Sequence, residues 1–153
     1  MRISIQNKQK RYRINRKKVL QWARRILMLQ KFDQAELGLL LVNDRQIRVY
    51  NRDYRKQDKP TDVLAFPMLE GIGGNLHPYF LGDVMISLDT AQKEAAEFGR
   101  SLPDQILVLL IHGILHLLGY DHERGSREAR RMRRRERLLF ARIYSDDQTV
   151  RNR

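Results

Sequence analysis

The stretch ILVLLIHGILHLLGYDH, residues 106–122, joins a long apolar run to three of the four histidines of the chain. Its apolar part, residues 106–118, is interrupted by His112, Gly113 and His116. The run is also shorter than the ~20 apolar residues that a membrane-spanning helix needs. It therefore predicts the buried helix of a folded domain.

Two of these histidines lie on one face of the predicted helix. Four residues correspond to about 400° of rotation and ~6 Å of rise, so His112 and His116 lie one turn apart. Gly119 lets the chain leave the helix, and the short segment that follows can bring His122 back to the same point. Three imidazoles leave one coordination position open, which is typical of a catalytic zinc site. Ordinary interior histidines are the alternative, and the ligand spacing favours a metal.

The same spacing occurs in the metzincin proteases, whose motif is H-E-x-x-H-x-x-G-x-x-H. Gly113 stands where those enzymes carry the glutamate that acts as general base. Without this base, peptide hydrolysis of the metzincin type is disfavoured. His77 falls in a glycine-rich stretch, residues 68–81, away from the cluster, and we do not expect it to be a ligand.

Outward from this helix, apolar patterns of strand and helix alternate along the chain. They predict an α/β (α+β-like) single-layer domain with a small mixed sheet of about four strands and about five helices. We expect one domain over 1–153, with a basic tail from about 146. The predicted strands are 2–6, 36–42, 61–66 and 83–86, and the predicted helices are 15–30, 44–54, 88–98, 101–118 and 126–143.

Charge and composition limit the possible cellular compartments and binding partners of the protein. The net charge is +12, but residues 33–122 carry 8 basic and 13 acidic side chains, so the excess lies at the two ends. Basic ends are either solvated helix faces or a surface that binds a polyanion. The absence of cysteine excludes disulfides and thiolate ligands and favours a reducing setting. Because no apolar secretion signal precedes the domain, we expect a cytoplasmic protein without membrane contact.

Residues 112–122, HGILHLLGYDH, resemble the signature of the YbeY family of bacterial rRNA maturation factors. The resemblance extends to residues 51–55, residues 58–67, the segment GDVMIS at 82–87, and the spacing of Met132 and Glu136. It therefore covers nearly the whole chain. Departures from the family pattern are the pair Lys56-Gln57 after Arg55, and Ala65 in place of a serine.

The resemblance implies a single-strand-specific metallo-endoribonuclease that matures the 3′ end of 16S rRNA and takes part in ribosome quality control. It implies one Zn²⁺ per chain, held by His112, His116 and His122, although three imidazoles also suit Ni²⁺. Its partners would be single-stranded RNA, the small ribosomal subunit and associated proteins. Two alternatives stay open: a metzincin-like zinc peptidase, and a non-catalytic assembly factor with a structural metal.

Further side chains are candidates for binding RNA or for supporting the metal site. Arg55 is the candidate for gripping a phosphate, because a guanidinium binds phosphate oxygens bidentately. Asp121 either orients a ligand imidazole or accepts a bond in its turn, and Asp62 is structural or supports the site. Aromatic side chains that either stack on bases or pack in the core are Tyr50, Tyr54 and Tyr120. The expected RNA-binding residues are Lys17, Lys18, Arg130, Arg131, Arg133 and Arg134.

Overall fold

The computed structural model describes residues 1–68 and 79–151. Within these residues the chain forms four strands and five helices, which confirms the predicted fold class. The strands are β1 (Arg2–Asn7), β2 (Glu36–Val42), β3 (Val63–Pro67) and β4 (Phe80–Ser87), and the helices are α1 (Arg16–Leu29), α2 (Asp44–Arg55), α3 (Leu88–Phe98), α4 (Leu102–Leu117) and α5 (Ser126–Arg151).

The sheet is mixed and has the order β1-β2-β4-β3. Strands β1, β2 and β4 run parallel, with Ile3 opposite Leu37 and Leu39 opposite Val84. Strand β3 runs antiparallel to β4 and lies at one edge of the sheet. The continuous apolar sequence of β2 fits its central position, because both faces of that strand are covered.

Helices cover the two faces of the sheet unequally. Leu37, Leu39 and Leu41 of β2 belong to the large core that includes residues of α1, α4 and α5. The opposite face holds a smaller cluster in which Ile47 of α2 packs with Met85 of β4. Helix α4 is therefore buried between the sheet and its neighbouring helices, as its apolar sequence predicts.

The predicted helix starts coincide with capping bonds. Asn15 Oδ1 accepts from the Lys18 amide at 3.1 Å, and Asn43 forms a reciprocal capping box with Gln46. Ser101 Oγ accepts from the Asp104 amide at 3.2 Å. Each side-chain oxygen satisfies an N–H group that has no partner within its own helix.

Two boundaries differ from the sequence prediction. Strand β4 begins at Phe80 rather than 83, because Glu36 of β2 pairs with Phe80. Helix α5 continues to Arg151, so the prediction of a helix end at Ile143 and a tail from about 146 is wrong.

The extra helical turns of α5 are tied to α1. Trp22 Nε1 donates to Asp147 Oδ2 at 2.9 Å, and Lys18 Nζ lies 2.9 Å from the other oxygen of that carboxylate. Arg25 pairs with Asp146 at 3.1 Å. These contacts span more than a hundred residues of sequence, so local patterns could not reveal them.

No helix of the described residues is both long and apolar enough to cross a membrane alone. Helices α3 and α4 meet the length and hydropathy limits only as a pair bent by 112°. His77 lies outside the described residues.

Candidate metal centre

The three predicted histidines converge at the end of α4. One ring nitrogen from each of His112, His116 and His122 lies within 4.8 Å of the others. The ring centroids are separated by 4.7 to 5.3 Å. The turn that returns His122 passes through Gly119 at φ 98°, a left-handed conformation that glycine adopts without strain. The arrangement expected from the spacing is therefore present in the fold.

A carboxylate from α5 holds the first histidine in place. Glu136 Oε2 lies 2.9 Å from His112 Nδ1, so an imidazole protonated at Nδ1 donates to it. This bond fixes the ring and leaves Nε2 as its free nitrogen, which is the usual role of a carboxylate behind a metal-binding histidine. The sequence patterns alone predict no role for Glu136. The available signal was its position one turn after Met132, on the face of α5 that is otherwise apolar.

Burial keeps the middle histidine neutral. Desolvation lowers the pKa of His116, and the nearby His112 and His122 lower it further. A neutral imidazole carries the lone pair that a metal ion needs. Three imidazole nitrogen donors at this separation fit a transition-metal ion such as zinc or nickel.

Gly113 is glycine because α4 packs directly against the sheet at this point. A Cβ atom added here would lie 2.6 Å from Val84 Cγ1 and 3.2 Å from Val63 Cγ2. A β-branched side chain in a packed core cannot move aside at low cost. Steric contact with these valines therefore excludes a glutamate at position 113, where the metzincins carry one.

The histidines form one wall of a cleft of ≈ 510 Å³. The facing wall comes from the end of α2, the loop that follows it, and β3. Asn51 Nδ2 anchors this loop by donating to the Lys59 carbonyl at 2.8 Å. Described residues that line the cleft include Arg55, Thr61, Asp62, Val63, Ala65, Pro67, Gly113, Tyr120, Asp121 and Glu123.

Arg55 faces the histidines across this cleft. Its Nη2 lies 3.7 Å from Glu123 Oε1, and the same oxygen lies 3.9 Å from His122 Nε2. The side chain of Arg55 is 51% exposed, so its guanidinium is open to an incoming anion. The fold thus brings together the predicted phosphate-gripping arginine and the predicted metal ligands, which are more than fifty residues apart in sequence.

Asp121 and Asp62, for which the sequence leaves two roles open, have different surroundings. Asp121 Oδ1 accepts from the Glu123 amide at 2.8 Å, and this backbone bond lowers the pKa of the carboxyl. Its other oxygen pairs with Arg124 at 3.2 Å, so the side chain shapes the turn. Asp62 Oδ1 accepts from the Val63 amide at 2.7 Å.

Asp62 also lies beside a carboxyl group of α3. Desolvation first, and then contact with the Asp62 carboxyl group, raise the pKa of Glu94 to about 7. Oxygen Oε1 of Glu94 is buried without a hydrogen-bond partner among the described residues. The carboxyl group of Glu94 therefore keeps its proton up to about pH 7.

The predicted RNA-binding residues are spread around the molecule. Arg131 lies 4.3 Å over the ring of Tyr120, at the edge of the cleft. Lys18 is engaged by Asp147, whereas Lys17 is exposed. The remaining three, which are exposed on α5 and do not line the cleft, are Arg130, Arg133 and Arg134.

Comparison with known proteins gives one consistent family. Residues 4–144 match the family model described as Endoribonuclease YbeY. A protein of that name from Syntrophotalea carbinolica is 51% identical over 145 residues, covering 94% of this chain and 97% of the relative. Another, from Geobacter metallireducens, is 46% identical and covers 92% of this chain and 95% of its own.

A solved structure agrees with the fold. The solution structure of TM1509 from Thermotoga maritima superposes with a TM-score of 0.66 and is 26% identical, covering 97% of this chain and 93% of that protein. The family match spans most of the chain, including all three histidines, Arg55 and Glu136. The chain therefore belongs to the YbeY family.

Proposed function

We propose that this protein is a metal-dependent endoribonuclease that hydrolyses phosphodiester bonds of single-stranded RNA. The relatives carry the name endoribonuclease. The observation that carries the proposal is the cleft in which the three histidines face Arg55. From the family resemblance, we extend it to cytoplasmic rRNA processing at the 3′ end of 16S rRNA, on the small ribosomal subunit.

His112, His116 and His122 would hold the ion, with zinc as the first choice and nickel as the second. Such an ion lowers the pKa of water and polarises a phosphoryl oxygen, so no protein base is needed at the position of Gly113. Glu136 orients His112 through its bond to Nδ1. Burial holds His116 in the neutral form that binds a metal.

Arg55 would bind the non-bridging oxygens of the phosphate at the reacting bond. Its only ion pair among the described residues is to Glu123 at 3.7 Å, a long and exposed contact. Exposed pairs of this kind contribute little, so a phosphate can replace the carboxylate. A guanidinium offers two parallel donors, which orient the phosphate as well as neutralise it.

Basic side chains outside the cleft would hold the flanking RNA backbone. Arg131 is the nearest of them, because it lies over Tyr120 at the cleft edge. The others are proposed as a sequence-independent polyanion surface. They are Lys17, Lys18, Arg130, Arg133 and Arg134.

The two alternative functions are less well supported. A peptidase of the metzincin type needs a base at position 113, where Val84 and Val63 leave no room for a side chain. A purely structural metal is usually closed by four protein ligands. Here the three imidazoles stand at an open cleft.

The decisive experiment compares substrates and variants under metal control. Metal-loaded protein is incubated separately with single-stranded RNA, duplex RNA and unfolded casein, each with and without chelator. We expect chelator-sensitive cleavage of single-stranded RNA only. His116→Ala should lose both metal and cleavage, whereas Arg55→Ala should keep the metal and lose cleavage.

Lys93→Ala serves as the charge-matched control for Arg55→Ala. Lys93 is exposed on α3 and pairs with Asp44, and it does not line the cleft. Cleavage by Arg55→Ala at the rate of the parent would contradict the phosphate role. Chelator-sensitive loss of casein without loss of RNA would contradict the nuclease function and support the peptidase function.

A further inference from the structure

A cluster of aromatic rings lies on the sheet face opposite the cleft. Tyr50 and Tyr54 of α2 stack with centroids 6.3 Å apart and ring planes 7° apart. Phe66 of β3 packs edge-on against both, at 6.1 and 5.3 Å. Tyr54 is 68% exposed and Tyr50 is 38% exposed, so these tyrosines do not belong to the core.

We propose that Tyr54, Tyr50 and Phe66 form a stacking platform for unpaired RNA bases next to the phosphate bound by Arg55. The proposal rests on the proposed function and deepens it, because it names which part of the substrate is recognised. Bases stack on exposed aromatic rings without regard to sequence, since every base has a π-face.

The platform is continuous with the cleft through two elements. Tyr54 and Arg55 are neighbours in the last turn of α2, and Arg55 lines the cleft. On β3, Ala65 and Pro67 line the cleft, whereas Phe66 between them packs on the opposite face. Because β3 is the edge strand, an RNA chain leaving the cleft over this edge reaches the rings directly.

The charge around the platform suits RNA rather than an apolar protein partner. Residues 44–59 carry six basic and three acidic side chains, although residues 33–122 as a whole are net negative. Arg48 and Arg52 pair with Asp58 and Asp53, and all four side chains are more than half exposed. Such pairs are weak, so phosphates can compete for these guanidinium groups.

A second stacked pair provides a matched control. Phe140 and Tyr144 of α5 have centroids 5.8 Å apart and ring planes 15° apart, and Tyr144 is 42% exposed. Neither residue lines the cleft. Tyr144→Ala therefore removes an exposed stacked tyrosine of similar geometry at a site where no base stacking is expected.

The test measures binding in the 153-residue chain carrying His116→Ala, so that cleavage does not interfere. Two fluorescent probes of equal length are compared: an unpaired oligoadenylate RNA and an abasic oligomer with the same backbone. Tyr54→Ala should raise the Kd for the RNA about fivefold to tenfold and leave the abasic probe unchanged. Tyr54→Trp should retain RNA binding, and Tyr144→Ala should alter neither Kd.

An equal loss for both probes would overturn the platform, because it would indicate a general structural role for Tyr54. An unchanged Kd for the RNA would overturn it as well. The readout does not depend on catalysis, so the two proposals fail separately. If the metal-loaded parent protein cleaves RNA and Tyr54→Ala leaves RNA binding intact, only the platform is wrong. If Tyr54→Ala weakens RNA binding but the parent protein does not cleave RNA, only the proposed function is wrong.

Discussion

The two walls of the cleft are built in different ways. The α4 wall presents His112 and His116 from a helix whose other residues are mostly buried, and Glu136 braces it from behind. The facing wall presents Arg55 from the exposed end of α2. A metal site needs ligands held to within about half an ångström, whereas a phosphate can be bound by a guanidinium at the end of a long, flexible side chain.

The two walls of the cleft therefore depend on different interactions. The α4 wall depends on close packing, since even one added carbon at Gly113 meets Val84. The facing wall depends on a few polar contacts, such as the bond from Asn51 to the Lys59 carbonyl. Substitutions in the first should therefore reduce stability or metal affinity, and substitutions in the second should mainly change RNA binding.

Gly113→Glu should have the largest effect, because it forces a side chain into the contact between α4 and the sheet. We expect the free energy of unfolding to fall by about 3 kcal/mol or more, the upper range for overpacking, with no gain of peptidase activity. Urea denaturation followed by circular dichroism measures the change.

The matched test of this steric cause is a double-mutant cycle with the smaller substitution Gly113→Ala. Val84→Ala removes the Cγ atom nearest to the added Cβ, and one of the two next nearest. The two substitutions should therefore be less destabilising together than the sum of their separate effects. Additive effects would mean that the α4 wall does not depend on this contact.

Glu136→Gln should weaken the α4 wall without unfolding it. Loss of the carboxylate behind His112 should lower metal affinity by about 10- to 100-fold, as for other carboxylates that support a histidine ligand. Competition with a chromogenic chelator measures the affinity. Glu128→Gln is the control, because Glu128 lies on the same helix and pairs with Arg131 rather than a histidine. Equal affinities for the two variants would remove Glu136 from the site.

The sequence revealed the two walls to different degrees, for physical reasons. Helical periodicity and the turn at Gly119 place the three histidines from residues 112–122 alone. Arg55 came from the family resemblance, because nothing local shows that the end of α2 will face α4. The role of Glu136 was missed for the same reason: its bond to His112 joins two helices.

Long-range contacts also explain the errors at the boundaries of elements. The apolar spacing predicts that α5 ends at Ile143, because the spacing stops there. Asp146 and Asp147 extend the helix by pairing with α1 instead. An exposed polar turn with such partners has no hydrophobic signature.

The pair Asp62 and Glu94 gives the facing wall a pH dependence. The raised pKa of Glu94 means that the folded protein keeps the Glu94 proton up to about pH 7, whereas the unfolded chain releases it near the ordinary value of 4.5. The favourable contribution is therefore complete below about pH 4.5 and is lost as the pH rises through about 7. Glu97 adds to the shift, and Gln105 opposes it.

Glu94→Gln should remove this pH dependence. Because the side chain is partly exposed, we expect the variant to gain only about 1 kcal/mol relative to the parent at pH 8. The two proteins should be nearly equal in stability at pH 4.5. Thermal or urea unfolding at both pH values measures the difference, and a difference of the same size at both would disprove the raised pKa of Glu94.

The smallest effect should separate two arginines of α5 that are both exposed to solvent. Arg131 lies over the ring of Tyr120 in the α4 wall, whereas Arg134 does not line the cleft. We expect Arg131→Ala to weaken binding of unpaired RNA about threefold and to reduce the salt slope by about one, and Arg134→Ala to change both less. Titrations between about 50 and 200 mM salt give both quantities. Equal losses of RNA affinity would mean that RNA also contacts the outer face of α5. The RNA path would then extend beyond the histidine wall of the cleft.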